Sequence, residues 1–407
     1  MANLAINGGT PVRTAPFPVW PVWGDQELNN LAAVIKSGQW GCLKGNVTGD
    51  FEKRFAEYMQ AKHGICINSG TTALQIALIA ADVNPGSEVL VPAYTFIATA
   101  TAVVEVGAIP IFVDIDPRTY NIDIEKARAA ITDKTAAIMP VHFAGRSTDM
   151  DAINALAAEH GLKVVEDAAQ AWGSEWNGKR VGALGDAGCF SFQSSKNINA
   201  GEGGIILTND DQVAKMARSH INCGRSDDGL WYEHFYFGGN YRMTEFQSAV
   251  LMAQFDRYEE LKNIRFENYQ YLLNGFKDID GIELLSDDPK ITSHSVHLFI
   301  FKYKKEHFAG ASKTRFIDAM RKEGIFTSPG YSLPLYKQPV FMNKSFGPRG
   351  RAVDLPVDYA GMNCPETEIA CYEEAIWFTQ NMFLGSTKDM DDIITSVKKI
   401  KQHAVEL

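Results

Sequence analysis

Cys189-Phe190-Ser191-Phe192-Gln193-Ser194-Ser195-Lys196, leading into Gly201-Glu202-Gly203-Gly204, is the stretch from which the rest of this chain can be read. An apolar run ends in small polar residues and a single lysine. A glycine-rich turn follows, and then a second apolar run, Gly204–Thr208. Two strands joined by a long polar turn, with no helix between them, account for that order. Upstream, Val164-Val165-Glu166-Asp167-Ala168-Ala169-Gln170 puts an acid at the end of another apolar strand.

Around these two segments the chain alternates short apolar runs with amphipathic stretches. Gly64–Asn68, Glu88–Val91, Ile109–Ile115, Ala136–His142 and Lys163–Asp167 read as strands. Thr71–Asp82, Ile97–Val106, Ile124–Ile131 and Asp149–His160 read as helices between them. The strand runs are continuously apolar, which suits a sheet covered by helices on both faces. The alternation implies right-handed crossovers and a mostly parallel sheet, hence an α/β fold.

A second regime begins near residue 256. Thr244–Phe276 has long helical patterning, and Ile282–Leu285 and Val296–Tyr303 resemble strands. Helices are expected near Ser312–Glu323, Glu366–Thr379 and Lys388–His403, and a loop over Thr327–Tyr336, which holds two prolines and a glycine. The division expected is residues 1–255 as a large α/β domain with an N-terminal arm, and residues 256–407 as a smaller α+β domain.

Composition narrows the function. The 407 residues are 45% hydrophobic and 22% charged, with a formal net charge of −10. Such a balance, without an extended Lys/Arg cluster, argues against a nucleic-acid partner and gives no support for an anionic membrane surface. The apolar stretch from Ala93 to Val113 is interrupted by Glu105, Gly107 and Pro110; it reads as helix, turn and strand instead of a membrane span. Met1 to Gly9 has no basic or apolar region typical of a signal peptide. The six cysteines are scattered without a C-x-x-C pair, as in a reduced cytoplasmic protein. The nine histidines show no metal-ligand spacing. His294 and His297, three apart in a strand-like run, would face opposite ways. No metal is expected.

Three pieces carry chemistry. Lys196, in a polar turn beyond a strand, is placed to act as a nucleophile and base if burial lowers its pKa. Asp167, at a strand end where α/β sheets bind ligands, could hold a cation. Asn68-Ser69-Gly70-Thr71-Thr72 ends a strand and opens an apolar helix, so its free amides suit an anion such as phosphate. Each also has a plain reading: a solvated lysine, a turn aspartate, an ordinary Ser/Thr cap. Together they match the needs of pyridoxal 5′-phosphate (PLP): an imine-forming lysine, a carboxylate for the pyridinium nitrogen and a phosphate cradle.

The pattern closely resembles the DegT/StrS family of PLP-dependent sugar and cyclitol aminotransferases, of fold type I, over nearly the whole chain. Ser69-Gly70-Thr71, Thr95-Phe96, Glu166-Asp167-Ala168-Ala169-Gln170, Ser191-Phe192 with Lys196, Gly201-Glu202-Gly203-Gly204 and Asn240-Tyr241-Arg242-Met243-Thr244-Glu245 carry the resemblance. It implies that Lys196 forms the imine with PLP and shuttles the proton. Asp167 would pair with the ring nitrogen, Gln170 would bond the phenolic oxygen and Phe96 would stack on the ring. Gly70, Thr71 and Ser191 would hold the phosphate, joined by Asn240 of a neighbouring subunit, so a homodimer with shared sites is implied. Family members with histidine in place of this lysine are dehydratases, so Lys196 points to transamination.

The expected reaction moves an amino group from glutamine or glutamate to a ketone of a ketocyclitol or keto sugar, in antibiotic or surface-sugar biosynthesis. Details near Lys196, with Trp231-Tyr232-Glu233, look closer to members acting on ketocyclitols; nucleotide-linked keto sugars stay open. Tyr331, in the irregular loop, is a candidate to border the substrate. A non-catalytic PLP- or sugar-binding regulator is an alternative. A nucleotide-dependent oxidoreductase fits the strand–helix rhythm but lacks G-x-G-x-x-G after its first strand.

Overall fold

The computed structural model describes residues 3–226, 228–286, 288–346 and 357–407. Strands β1 (His63–Ile67), β2 (Glu88–Pro92), β3 (Ile109–Val113), β4 (Thr135–Ile138) and β5 (Lys163–Asp167) are followed by the short strands β6 (Glu175–Trp176) and β7 (Lys179–Arg180), then β8 (Ala187–Ser191) and β9 (Gly204–Thr208). Seven of them form one sheet in the order β1-β9-β8-β5-β4-β2-β3. Only β9 runs against the others, pairing antiparallel with β1 and β8. That single reversal is the hairpin-like connection read from Phe192 to Gly203.

Helices α1 (Asp25–Ser37), α2 (Val47–Tyr58), α3 (Gly70–Ala80), α4 (Ala98–Glu105), α5 (Ile124–Ala129), α6 (Met150–His160) and α7 (Asp211–Ile221) accompany this sheet. Successive strand residues point to opposite faces, and each face has its own core. Ile65, Val89, Val91 and Ile206 pack with Leu74, Val103 and Val213 of α3, α4 and α7. Cys66, Leu90, Val164 and Ile205 pack with Phe51, Phe55, Ile153 and Leu156 of α2 and α6. Burial on both faces is why the strands are apolar throughout.

The Thr244–Phe276 patterning is two helices, α8 (Glu245–Asp256) and α9 (Tyr258–Phe276), which meet at Arg257. Further strands are β10 (Ile282–Leu284), β11 (Ile291–Ser293), β12 (Leu298–Tyr303) and β13 (Ala375–Thr379). A second, antiparallel sheet has the order β10-β12-β13. Helix α10 (Lys313–Lys322), α9 and the C-terminal helix Thr387–Gln402 pack against it through Phe316, Phe276 and Ile393. Leu4 of the N-terminal segment is buried in this core, whereas Leu335, Tyr336, Phe341 and Tyr359 join the core of the first sheet.

One expected helix is corrected. Glu366–Thr379 holds only a short helix, Pro365–Ile369, and a π-helical turn, Ala370–Glu374, before β13 begins. Ala375-Ile376-Trp377-Phe378-Thr379 is rich in β-branched and aromatic residues. Pairing along β12 settles a run whose periodicity alone is ambiguous. Among the described residues, no helix is long and apolar enough to cross a membrane.

Candidate active site

The carboxyl ends of β5 and β8 lie side by side, with Asp167 in register with Cys189. The polar turn beyond β8 brings Lys196 back toward Asp167. Backbone bonds hold this turn closed: Phe192 N to Gly203 O at 2.8 Å, Ser194 N to Gly201 O at 2.9 Å, and Lys196 N to Gln193 O at 2.9 Å. Gly201 and Gly203 take φ values of +80° and +150°, which favour glycine. Gly70, Thr71, Phe96, Asp167, Gln170, Ser191, Lys196 and Tyr331 all line one cavity of about 450 Å³. Asn240 does not; it is exposed and forms a bridge with Asn222. A larger hollow of about 630 Å³, walled by Arg218, Arg225 and Arg242, lies apart from the lysine.

Asp167 is buried, and each of its oxygens accepts a hydrogen bond. Thr99 Oγ1 donates to Oδ2 at 2.7 Å, and Ala169 N donates to Oδ1 at 3.2 Å. Burial nonetheless raises its carboxyl pKa; those two donors and the positive charge of Lys196 act the other way. Burial lowers the Lys196 amine to about 8, against a smaller upward pull from Asp167. An amine poised there is partly neutral near physiological pH, as a nucleophile or proton carrier must be.

Gln170 Oε1 accepts from Ala144 N at 2.8 Å. Its acceptor end is therefore taken, and its NH₂, which also meets the Tyr331 hydroxyl, is the donor it turns to the cavity. Phe96 lines the cavity with 56% of its surface exposed, offering a flat aromatic face.

The start of α3 also lines the cavity. Ser69 caps this helix, its Oγ accepting from Thr72 N at 3.1 Å. The amides of the first turn are thus presented beside the Ser191 hydroxyl. A Cβ at Gly70 would stand 2.7 Å from Ser191 Cβ, so the helix end and β8 meet only because residue 70 is glycine. Carboxylate, amine, amide donor, aromatic face and anion cradle, gathered on one cavity, fit PLP in kind.

The sequence by itself gives no site role to Thr99 or Trp377, and weighs His297 only as a metal ligand. Thr99 reaches Asp167 from the first turn of α4, two helical positions into a segment with no chemical signature. Trp377 belongs to the strand that was expected as helix; it packs on Tyr331 at 4.8 Å between centroids and lines the cavity. His294 and His297 precede β12 and are not in a strand. Val296 between them has φ +52°, which breaks the pleat. His294 stacks on Tyr269, and His297 enters the cavity wall. Among the described residues, no group of three or more His, Cys, Asp or Glu is arranged to hold a metal ion.

The profile described as the DegT/DnrJ/EryC1/StrS aminotransferase family matches residues 21–357. An L-glutamine:2-deoxy-scyllo-inosose aminotransferase of Streptoalloteichus tenebrarius is 34% identical, over 100% of this chain and 99% of its own. A pleiotropic regulatory protein of Geobacillus stearothermophilus is 42% identical over 78% of this chain and 82% of its own. The crystal structure of 3-amino-5-hydroxybenzoic acid synthase superposes with a TM-score of 0.86 at 32% identity, covering 97% of this chain and 100% of that one. This chain belongs to the DegT/DnrJ/EryC1/StrS aminotransferase family and is an aminotransferase with the fold type I architecture of its structural neighbours.

Proposed function

We propose that this enzyme moves an amino group from glutamine or glutamate to the ketone of a polyhydroxylated ring, with PLP held at Lys196. The observation that carries the reading is the single cavity shared by Lys196, Asp167, Gln170 and the Gly70 helix end. When bound, PLP supplies an aldehyde for amine exchange and a ring that accepts the electron pair left by proton removal.

The chain's own groups divide the remaining work. Asp167 is the residue that would hold a protonated ring nitrogen; opposite charges about 4 Å apart attract by roughly 4 kcal/mol at an effective dielectric near 20. The Gln170 NH₂ would donate to the phenolic oxygen, Phe96 would cover a ring face, and the Gly70 and Thr71 amides with the Ser191 hydroxyl would hold the phosphate. Lys196 Nζ would take the proton from the amino-bearing carbon of the donor and, in the second half, deliver one to the former ketone carbon of the acceptor. Asn240 completes a neighbouring subunit's phosphate site in a cytoplasmic homodimer.

A ketocyclitol is the acceptor class we favour over nucleotide-linked sugars. Its support is the full-length relative named for 2-deoxy-scyllo-inosose. We also keep the division into residues 1–255 and 256–407 as a proposal, with Leu4, Leu335, Tyr336, Phe341 and Tyr359 packed across it.

The test is the absorption spectrum of the protein with PLP, then with L-glutamine, then with 2-deoxy-scyllo-inosose. A visible band that glutamine bleaches and the ketone restores is the expected result. No band at all would overturn the role of Lys196. A band that no amino donor shifts would replace transfer by the regulatory role that the Geobacillus relative's name carries.

A further inference from the structure

Behind Lys196, the next residue is pinned in a way that decides the chemistry of a group across the cavity. Asn197 is 2% exposed. Its Nδ2 donates to Ser295 O at 2.8 Å and to Val296 O at 3.3 Å. With both carbonyls fixed as acceptors, the amide can stand only one way round, and Oδ1 must accept. The atom 2.9 Å from Oδ1 is His297 Nδ1, which therefore carries the proton. A neutral imidazole protonated at Nδ1 has a lone pair at Nε2.

The backbone shows the same bias. Val296 is a β-branched residue held at φ +52°, a conformation costing on the order of 1–3 kcal/mol. His297 N donates to Ala144 O at 3.1 Å, and Ser295 Oγ donates to Gln170 O at 2.6 Å. The strained turn is thus anchored on both sides of the residue it presents. Trp172 meets the ring edge-on at 5.8 Å, and His297 lines the cavity with Lys196 and Tyr331. Since Nδ1 faces Asn197, the edge left for the cavity carries Nε2.

We propose that His297 reads the substrate: its Nε2 accepts a hydrogen bond from a hydrogen-bond donor on the substrate, either a ring hydroxyl of the ketone or the side-chain amide of glutamine. Asn197 is the positioning residue that sets the tautomer. The inference rests on the function proposed above for its substrates, but not for its tautomer.

Two measurements test it. ¹⁵N-histidine NMR of the protein without cofactor should show His297 protonated at Nδ1 and bare at Nε2. Asn197→Leu should release that preference while leaving the other histidines unchanged. A ring protonated at Nε2 in the wild type overturns the proposal. For the holoenzyme, His297→Phe should keep the PLP band but weaken one half-reaction by about 5- to 100-fold, the effect of one buried hydrogen bond. Loss in the glutamine step, sparing glutamate, identifies the amide. Loss in the ketone step, with discrimination against a deoxy analogue of 2-deoxy-scyllo-inosose abolished, identifies the hydroxyl. His297→Gln, which keeps an acceptor near the Nε2 position, should restore part of either loss. Wild-type constants in both half-reactions for His297→Phe overturn the proposal. Absence of the PLP band in the wild type would count against Lys196 alone, because the tautomer is measured without the cofactor.

Discussion

Thr99 Oγ1 donates to Asp167 Oδ2 at 2.7 Å, and Thr95 Oγ1 lies 3.1 Å behind it. Thr99 has one hydroxyl proton, so while it serves Asp167 the contact with Thr95 must run from Thr95 to Thr99. Two threonines four residues apart thus form a relay of donors that supports the charged form of a buried carboxylate. Thr99→Val breaks it with little change of shape. The Asp167 pKa, already raised by burial, should rise further, and the acid limb of the rate profile should move to higher pH. We expect the rate at neutral pH to fall about tenfold, the effect of one charge-assisted hydrogen bond of about 1.4 kcal/mol. A pH–rate profile checks this, and an unmoved acid limb would remove Thr99 from the support of Asp167.

Asp167 also makes a prediction about stability. Its folded pKa is raised above the ordinary value of 3.8. Between those two pH values the folded chain binds more protons than the unfolded one, so stability falls as pH rises through the window. Asp167→Asn removes that cost. The variant without cofactor should melt at or above the wild-type temperature at pH 7, yet lose turnover. Thermal melts at pH 4 and pH 7 check the sign; a variant less stable than wild type only at pH 7 contradicts it.

Lys196 has the opposite linkage. Its folded pKa of about 8 lies below the ordinary 10.5, so the folded chain binds fewer protons over that range and stability rises with pH. The same shift governs reactivity. The rate of PLP capture, followed by the visible band, should increase with pH around a midpoint near 8. Lys196→Ala should abolish both band and turnover while leaving the fold intact. A variant that keeps full activity would falsify the assignment.

Gly70 has no room for a side chain. A methyl group there would press on Ser191 Cβ and Cα at 2.7 and 3.2 Å. Gly70→Ala should separate α3 from β8 and cost about 1–3 kcal/mol of stability, as overpacking does. PLP affinity should drop at least tenfold, because the amides and the Ser191 hydroxyl no longer converge. Equilibrium dialysis against PLP, with a thermal melt alongside, separates loss of the cradle from loss of the fold.

The sheet and the heart of the site were legible because their signals are local. A continuously apolar run needs only its own residues to announce a doubly covered strand, and β5, β8 and β9 stand where those runs predicted. Lys196, Asp167 and the Gly70 helix end each sit at a strand terminus. Six of the seven strands run in one direction, so their carboxyl ends share an edge and residues far apart in the chain meet. Amino-acid order alone thus determined the α/β class and picked out Lys196, Asp167 and the Gly70 helix end, which the structure gathers on one cavity. Tertiary structure decided the rest. Trp377 belongs to a strand because β12 offers it a pairing edge, which no five-residue run can show by itself. The chemistry of His297 depends on Asn197, 100 positions away, and on a left-handed Val296 that the sequence pattern reads as ordinary strand. Periodicity reports which face a side chain takes; it does not report which partner holds its proton, because that partner is chosen by the packing of two separate segments.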